Sequence, residues 1–347
     1  MIDPTKAVVY VVAWHDDARA TPTYRYRLHA LRLRDGTHLT APVVIDAPRL
    51  NAPVHKQRAW LLLTVLNHMC TNNFRYPRFS AGDFHHAGTI QNSDDRERVE
   101  NGALLGLDDL KQESPYVRGE LWNFVVKTNN LGFDGYRQDA ARHVPRWYWR
   151  DRVVNNLRRW GKYVFGEVAS GNLDYVFSYL ATGMAVTDYP LYFAMQNNFR
   201  LGGNLALLDG AGIAGRDGPS ALTFVQNQDV RPPVNRMLAH AFIAAYPGYP
   251  AFFDVDLRDP ALNNLIWIQN TLAAGPYVNR YKDGDTIVFS RGASLLAGIN
   301  QKDAWSAGGC RRHGSTRGST IMPAAYRTSR PTAPAGSSRG SPRSATS

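Results

Sequence analysis

The sequence predicts an α/β fold, an incomplete (β/α)8 barrel of about six βα units. The prediction rests on three short apolar segments that each carry one carboxylate and that are separated by helical periodicity. These segments are GFDGYRQDAARHV at 132–144 with Asp139, FGEV at 165–168 with Glu167, and FVQNQD at 224–229 with Asp229. Carboxylates at the ends of successive strands separated by helices are typical of the C-terminal face of a barrel.

Strands and helices alternate through the middle of the chain. Ser114 and Pro115 predict a helix start, as N-cap and first helical residue, and apolar residues then recur at helical spacing from Val117 to Val125. The predicted barrel strands are 62–66, 132–138, 163–167, 184–188, 221–226 and 250–254. The predicted helices are 115–128 and then segments near 146–160, 171–181, 190–200, 233–245 and 260–272. A complete barrel has eight strands, so two βα units have no counterpart.

Both ends of the chain differ from its middle. Residues 1–62 predict a β-rich segment foreign to the barrel, with a hairpin signal at Asp35-Gly36. We predict the partial barrel at 63–275, with a small domain inserted at 69–113. The start of a C-terminal β-domain follows at 276–303, and a disordered basic tail at 304–347.

The net charge of +11 invites a nucleic-acid-binding interpretation, but its distribution argues against one. From Ala304 to Ser347 there are seven arginines and no acidic residue. A solvated tail explains this charge better than a nucleic-acid arm, because no aromatic interleaving or RNA-binding motif accompanies it. We therefore expect no nucleic-acid partner, and a monomer.

The sequence shows no apolar run of 18 residues, so we expect no membrane-spanning helix. Its N-terminus lacks a basic region followed by a long apolar stretch, which predicts no secretory signal and a cytoplasmic location as expressed. The two cysteines, Cys70 and Cys310, are too few for a disulfide framework.

The carboxylates suit glycoside cleavage. A retaining glycosidase needs one ionised carboxylate as nucleophile and a second, protonated carboxyl as acid. Arg137 and Asp139 have the same parity on their strand, so they face one side, and the guanidinium would keep that carboxylate ionised. The alternative is that each carboxylate is a helix cap or a surface charge. That interpretation would be preferred for a single segment, but it explains three such segments in this order poorly.

These segments resemble the second, third and fourth conserved regions of the alpha-amylase family, and LTVLNH at 63–68 is similar to the first. The segment at 98–117 is similar to the end of the family's inserted B domain, and YPGYPAFFDVD at 246–256 to its eighth strand. The resemblance runs from about Leu63 to about Asp303. It implies an alpha-amylase-like glycoside hydrolase acting on α-1,4 bonds of starch or maltooligosaccharides. The family is secreted.

The resemblance also implies roles for individual residues. Asp139 would be the nucleophile, Glu167 the acid/base, and Asp229 a clamp on sugar hydroxyls in the transition state. The residues implied to contact the substrate are Arg137, Arg142, His143, Asn227 and Gln228. Several positions depart from the family pattern. Leu63 replaces an aspartate, Gln228 replaces a histidine whose donor role an amide can partly keep, and Ala87 and Gly102 stand where relatives have a disulfide.

A Ca²⁺ ion is implied in the same way, held by Asn67, Asp109 and the main-chain carbonyls of Glu100 and His143. The alternative for His143 is a side chain that serves only the sugar cleft. The pair His85-His86 could suggest zinc, but no further ligand lies at suitable spacing, so we interpret it as loop.

Two classes of function stay open at the level of sequence. One is the endo-acting hydrolase, and the other is a catalytically silent fragment that at most binds glucan. The choice between these two classes depends on the missing βα units, because an open arc of six strands exposes both edges and part of its lining. Residues 1–62 also weakly resemble a blade of a quinoprotein β-propeller, which cannot bury its faces alone.

Overall fold

The computed structural model describes residues 8–15, 23–32, 43–48, 61–69, 76–255 and 259–301. The N-terminal part contains an antiparallel three-stranded sheet in the order β1-β2-β3. Its strands are β1 (Val8–His15), β2 (Thr23–Arg32) and β3 (Val43–Pro48). The predicted β-rich character of this segment is therefore confirmed, whereas the tail predicted to be disordered and both cysteines lie outside the described residues.

Six parallel strands in chain order form the second sheet, so the predicted incomplete barrel is confirmed. They are β4 (Leu61–Thr64), β5 (Gly135–Gln138), β6 (Tyr163–Gly166), β7 (Ala185–Thr187), β8 (Ala221–Phe224) and β9 (Tyr249–Ala251). Helices connect these strands, as parallel pairing requires.

The sheet curls like half a barrel. Tyr163 begins β6 and Tyr249 begins β9, three places further along the sheet, yet their ring centroids lie 6.4 Å apart. A flat sheet would separate strands three places apart by about 14 Å. The contact between the two tyrosines therefore shows that the N-terminal ends of the strands curve towards one another.

The helices lie close to their predicted positions. They are α1 (Arg96–Asn101), α2 (Pro115–Asn129), α3 (Arg146–Tyr148), α4 (Asn155–Arg159), α5 (Leu173–Phe177), α6 (Tyr189–Asn198), α7 (Arg236–Ala245) and α8 (Pro260–Thr271). A π-helical stretch, Trp149–Val154, joins α3 to α4, so these three form one continuous helix. A 3₁₀ helix, Ser178–Thr182, completes the segment predicted near 171–181.

Local side-chain chemistry explains where the helices start. The hydroxyl of Ser114 accepts from the backbone N–H of Val117, as predicted for an N-cap. Helix α7 begins three residues later than predicted, because Asn235 caps it by accepting from the N–H of Leu238.

Three antiparallel strands follow the barrel: β10 (Tyr277–Lys282), β11 (Thr286–Arg291) and β12 (Leu295–Asn300). The buried ring of Phe289 on β11 packs edge-on against Phe242 of α7, with centroids 5.9 Å apart. This sheet therefore shares the apolar core of the barrel helices. Within the described ranges, no helix is long and apolar enough to cross a membrane.

Candidate active site

Neighbouring strands place the two predicted catalytic carboxylates side by side. Asp139 directly follows β5, and its N–H donates to the carbonyl of Thr64 at 2.9 Å. Glu167 directly follows β6, and its N–H donates to the carbonyl of Gln138 at 2.9 Å. Both carboxylates thus stand at the C-terminal edge of the sheet, where barrels carry their active sites.

Gly166 allows these strands to pack closely just below Glu167. A Cβ atom at this position would lie 2.8 Å from the sulfur of Met184 and 3.0 Å from the Cβ of Ala141. Both distances are shorter than ordinary carbon contacts. A side chain here would push the turn after Asp139 away from β6, so the glycine of the FGEV motif has a packing role.

One guanidinium joins the two carboxylates. The Nη1 atom of Arg137 is hydrogen-bonded to Oδ1 of Asp139, and its Nη2 atom lies 2.8 Å from Oε2 of Glu167. The first of these contacts forms because Arg137 on β5 and Asp139 just after it have the same parity and face the same side. A planar guanidinium that binds both groups fixes their relative orientation.

The electrostatic setting of Glu167 favours its protonated form. Burial raises the pKa of Glu167, and the negative charge of Asp139 raises it further, while the positive charge of Arg137 opposes both effects. A carboxyl group with a raised pKa is suited to general acid catalysis near neutral pH.

Tyr189 is a site residue that the sequence motifs did not reveal. Its hydroxyl donates to Oε1 of Glu167 at 3.0 Å and accepts from Nδ2 of Asn227 at 3.0 Å. A signal was available, because Tyr189 begins α6 two residues after β7 ends, at the same edge of the sheet as the carboxylates. The tyrosine connects Glu167 to the FVQNQD segment.

The strand predicted at 221–226 ends two residues earlier, and a turn follows it before Asp229. Strand β8 ends at Phe224, and the side-chain oxygen of Asn227 then accepts from the N–H groups of Asp229 and Val230, at 2.9 and 3.0 Å. This local bonding turns the chain, because asparagine competes with a strand ladder for backbone N–H groups. Asp229 and Gln228 are exposed, and the amide of Gln228 donates to Oδ2 of Asp229 at 2.7 Å.

Arg142 and His143 bind the protein's own main chain. The guanidinium of Arg142 donates to the carbonyls of Ala169 and Ser93, the latter at 2.6 Å. His143 is buried, with Nδ1 at 3.0 Å from the carbonyl of Val99. Burial lowers the pKa of His143 to about 4, so the ring is neutral at neutral pH. Both side chains tie the inserted segment to the barrel.

The residues implied for Ca²⁺ include buried oxygen atoms without partners. In the described part of the chain, the side-chain oxygen of Asn67 and Oδ1 of Asp109 are buried and make no hydrogen bond. Their segments are adjacent, since the N–H of Leu110 donates to the carbonyl of Asn67 at 2.7 Å. The side chain of Glu100 binds Arg96 instead, at 2.8 Å, which leaves only its carbonyl for the implied role.

His85 orients Asp109. Its Nδ1 lies 2.7 Å from Oδ2 of Asp109, and its Nε2 lies 2.8 Å from Oε1 of Glu113. His86 contacts the carbonyl of Ala81 through Nε2 at 2.8 Å. Among the described residues, no group of three or more His, Cys, Asp or Glu side chains is arranged to hold a metal ion. The unpartnered buried oxygens described above belong to one amide, that of Asn67, and to one carboxylate, that of Asp109.

Comparison with curated proteins finds amylases, and no family model matches the chain. The chain is 33% identical over 136 residues to the beta/alpha-amylase of Paenibacillus polymyxa, covering 37% of this chain and 11% of that protein. It is 33% identical over 191 residues to the alpha-amylase-related protein of Drosophila auraria, covering 49% and 39%. The chain therefore spans well under half of the length of these relatives.

Solved structures agree on the fold. An alpha-amylase from Geobacillus thermoleovorans, complexed with acarbose, matches with a TM-score of 0.54 and 24% identity, covering 66% of this chain and 62% of that one. The cyclomaltodextrin glucanotransferase CldA matches with a TM-score of 0.58 and 22% identity, covering 69% and 63%. The curated relatives point to the alpha-amylase family of glycoside hydrolases over part of this chain and part of each of them, and the solved structures share the fold.

Proposed function

We propose that this chain is an endo-acting hydrolase of α-1,4-glucosidic bonds in starch and maltooligosaccharides, working by a retaining double displacement. The observation that carries the proposal is the pair Asp139 and Glu167 on a single guanidinium, that of Arg137. Retaining enzymes need two carboxyl groups about 5–5.5 Å apart, closer than inverting enzymes need. The contact of both carboxylates with one guanidinium supports a close pair.

In the first step, Asp139 attacks the anomeric carbon of the bound sugar. The guanidinium of Arg137 donates to the carboxylate of Asp139 and holds it in place. The protonated carboxyl of Glu167 donates its proton to the glycosidic oxygen, which leaves with the rest of the glucan. In the second step, the now ionised Glu167 takes a proton from water, and that water releases the sugar from Asp139.

Asp229 and Gln228 are accessible to a substrate because they are exposed. Asp229 would accept hydrogen bonds from sugar hydroxyls, and Gln228 would donate from its amide. Asn227 holds the turn that carries both residues, and it connects that turn to Glu167 through Tyr189. Arg142 and His143 would act indirectly, by holding the inserted segment through the carbonyls of Ser93 and Val99.

We also propose that Ca²⁺ binds to the side-chain oxygens of Asn67 and Asp109, with the main-chain carbonyls of Glu100 and His143. The buried and unpartnered oxygens of Asn67 and Asp109 support this proposal, since a hard cation prefers oxygen ligands. When bound, the ion would neutralise the carboxylate of Asp109 and join the inserted segment to the barrel. His85 would hold Oδ2 of Asp109, so that Oδ1 stays available.

The test is a reducing-sugar assay on soluble starch with the purified chain and two isosteric variants. We expect Asp139→Asn and Glu167→Gln each to lower activity by roughly 10⁴-fold or more, with an unchanged circular dichroism melt. The control Asp94→Asn removes an exposed carboxylate outside the pair and should keep full activity. Hydrolysis should first release products in the α-anomeric form, seen by proton NMR.

The alternative is a catalytically silent fragment that only binds glucan. The open barrel is the reason for testing this alternative. A folded chain that retains maltoheptaose without releasing reducing ends would support that alternative. Full activity of Asp139→Asn, or initial release of β-anomers, would contradict the proposed mechanism.

A further inference from the structure

A groove outside the candidate active site lies between helix α2 and the continuous helix formed by α3, the π-helical stretch and α4. Its volume is about 480 Å³. Helix α2 contributes Arg118, Gly119 and Trp122 to its lining, and the facing helix contributes Tyr148, Arg152 and Asn156. The lining therefore combines two aromatic rings with two arginines from opposite walls.

Tyr148 gives the groove a hydroxyl donor. Its side chain is almost fully buried, at 1% relative exposure, and it lines the groove. The hydroxyl makes no hydrogen bond to any residue that the structure describes. Burial also raises the pKa of Tyr148, so the group stays protonated and able to donate.

The charges in the groove are predominantly positive. The positive charges of Arg118 and Arg152 both act on the phenol of Tyr148, so both guanidinium groups lie near this ring. The carboxylate of Asp151, the acidic residue in the lining, accepts hydrogen bonds of 2.7 and 3.1 Å from the guanidinium of Arg150. Within the described ranges, the guanidinium of Arg152 has no hydrogen bond or ion pair. Nη1 of Arg118 already donates to the carbonyl of Glu113 at 2.7 Å, so Arg152 and the hydroxyl of Tyr148 are the donors best placed for a ligand that accepts.

An apolar surface accompanies these donors. The indole of Trp122 lines the groove and leans on Trp160, with ring centroids 5.3 Å apart. Gly119 leaves the space beside it empty, because a Cβ atom built there would meet no atom within 4 Å. A flat ring can thus lie against the indole while its charged group reaches the arginines.

We propose that this groove binds a small organic anion, a phosphate or carboxylate carried on a flat apolar group. Its oxygens would accept from Tyr148, Arg118 and Arg152, and its flat part would cover Trp122. Arginine suits such oxygens because its planar fork presents several donors. This site is independent of the proposed glucan chemistry, since none of its lining residues belongs to the cleft.

Phenyl phosphate is the probe that tests the site, by isothermal titration calorimetry on the full chain. We expect binding that weakens as NaCl is raised, since exposed charges are screened. Tyr148→Phe and Arg152→Gln should each weaken it at least fivefold. The matched control Arg159→Gln removes an equally exposed arginine that does not line the groove, and it should bind like the parent chain.

A filling variant makes the test independent of charge. Gly119→Leu places a side chain into the empty space and improves the helix propensity of α2, so the fold should be retained. It should abolish binding while the circular dichroism spectrum stays unchanged. Binding that survives in Gly119→Leu, or that is equal in Arg152→Gln and Arg159→Gln, would overturn the proposal. So would neutral maltotriose if it bound this groove as tightly as phenyl phosphate.

Discussion

The hydroxyl of Tyr189 shows how a single residue tunes the candidate acid. It donates a hydrogen bond to Glu167, which favours the ionised form and lowers the pKa of Glu167 against the raising effect of burial. Without that bond, less would oppose burial and the charge of Asp139, and the pKa of Glu167 would rise further. The pKa of Glu167 therefore depends on a tyrosine carried by a different βα unit.

We predict that Tyr189→Phe changes the pH profile of starch hydrolysis. Losing a hydrogen bond to a charged group costs about 1.5–3 kcal/mol, so activity should fall by about tenfold or more. Because the pKa of Glu167 rises, the acid stays protonated to higher pH, and the alkaline limb of kcat/KM should move upwards. The control Tyr192→Phe removes a hydroxyl of the same helix that donates to the carbonyl of Arg231. It should leave the limb in place, and equal profiles for both variants would refute the assignment.

His240 is the second residue whose environment predicts a pH effect. The ring is buried in α7 and stacked on Phe252 at 5.5 Å, and neither ring nitrogen has a partner in the described part of the chain. Burial lowers the pKa of His240 from 6.5 to about 4. Between these values the unfolded chain binds a proton and the folded chain does not, so stability falls as the pH falls.

We predict that His240→Leu makes the protein less sensitive to acid. The parent chain should lose stability from pH 7.5 to pH 5, by up to about 1.4 kcal/mol per pH unit for each such histidine. The variant should lose about 1–2 kcal/mol less over this range, as measured by urea unfolding at both pH values. His143 keeps a similar effect, so some acid sensitivity remains. His86→Gln, at an exposed position, is the control, and an unchanged pH dependence in His240→Leu would contradict the argument.

At the scale of elements, local signals in the sequence predicted more than long-range ones. The N-cap at Ser114 was predictable because a serine, a proline and helical spacing occur within a few residues. The shared face of Arg137 and Asp139 followed from strand parity alone. The turn after β8 was not predicted, because Asn227 bonds its neighbours instead of continuing the strand. The contact of Tyr189 with Glu167 joins two βα units and has no signature in spacing.

The inserted segment is attached to the barrel at a few points. The N–H of Leu110 donates to the carbonyl of Asn67 at 2.7 Å, and the side-chain amide of Gln112 donates to the carbonyl of Leu66 at 3.1 Å. Arg142 adds its bond to Ser93. Burial raises the pKa of Asp109 to about 7, so its carboxylate is poorly stabilised by the protein alone. A bound cation would compensate for this cost.

We predict that chelation loosens this segment. An ion that binds only the folded state stabilises it by about 2.7 kcal/mol at a hundredfold excess over Kd. EDTA should therefore lower the melting temperature, and limited proteolysis should then cut first within residues 76–113. Asp109→Ala should show both effects even in excess CaCl₂, whereas Asp94→Asn should not. An unchanged melt and cleavage pattern with EDTA would mean that Asn67 and Asp109 hold no ion.

At the scale of the whole molecule, the barrel is open. In the described sheet, β4 and β9 each pair with one neighbour only. Leu61 and Leu63 are in register with Gly135 and Arg137, so they face the same side as Arg137, towards the barrel interior. They are 48% and 51% exposed, although interior positions of a closed barrel are buried. An unpaired strand edge with exposed leucines is a surface that favours association.

We predict that this edge makes the chain associate as its concentration rises, in place of the monomer expected from sequence. Leu61→Lys puts a charge on the edge of β4 at the end remote from Asp139, and it should shift association to several-fold higher concentration. Leu207→Lys is the matched control, because Leu207 is 63% exposed but lies on a 3₁₀ helix away from the sheet edges. Sedimentation velocity over a concentration series measures both variants. If they behave alike, exposed leucine anywhere on the surface drives association; if the parent chain stays monomeric throughout, the open edge is covered in solution.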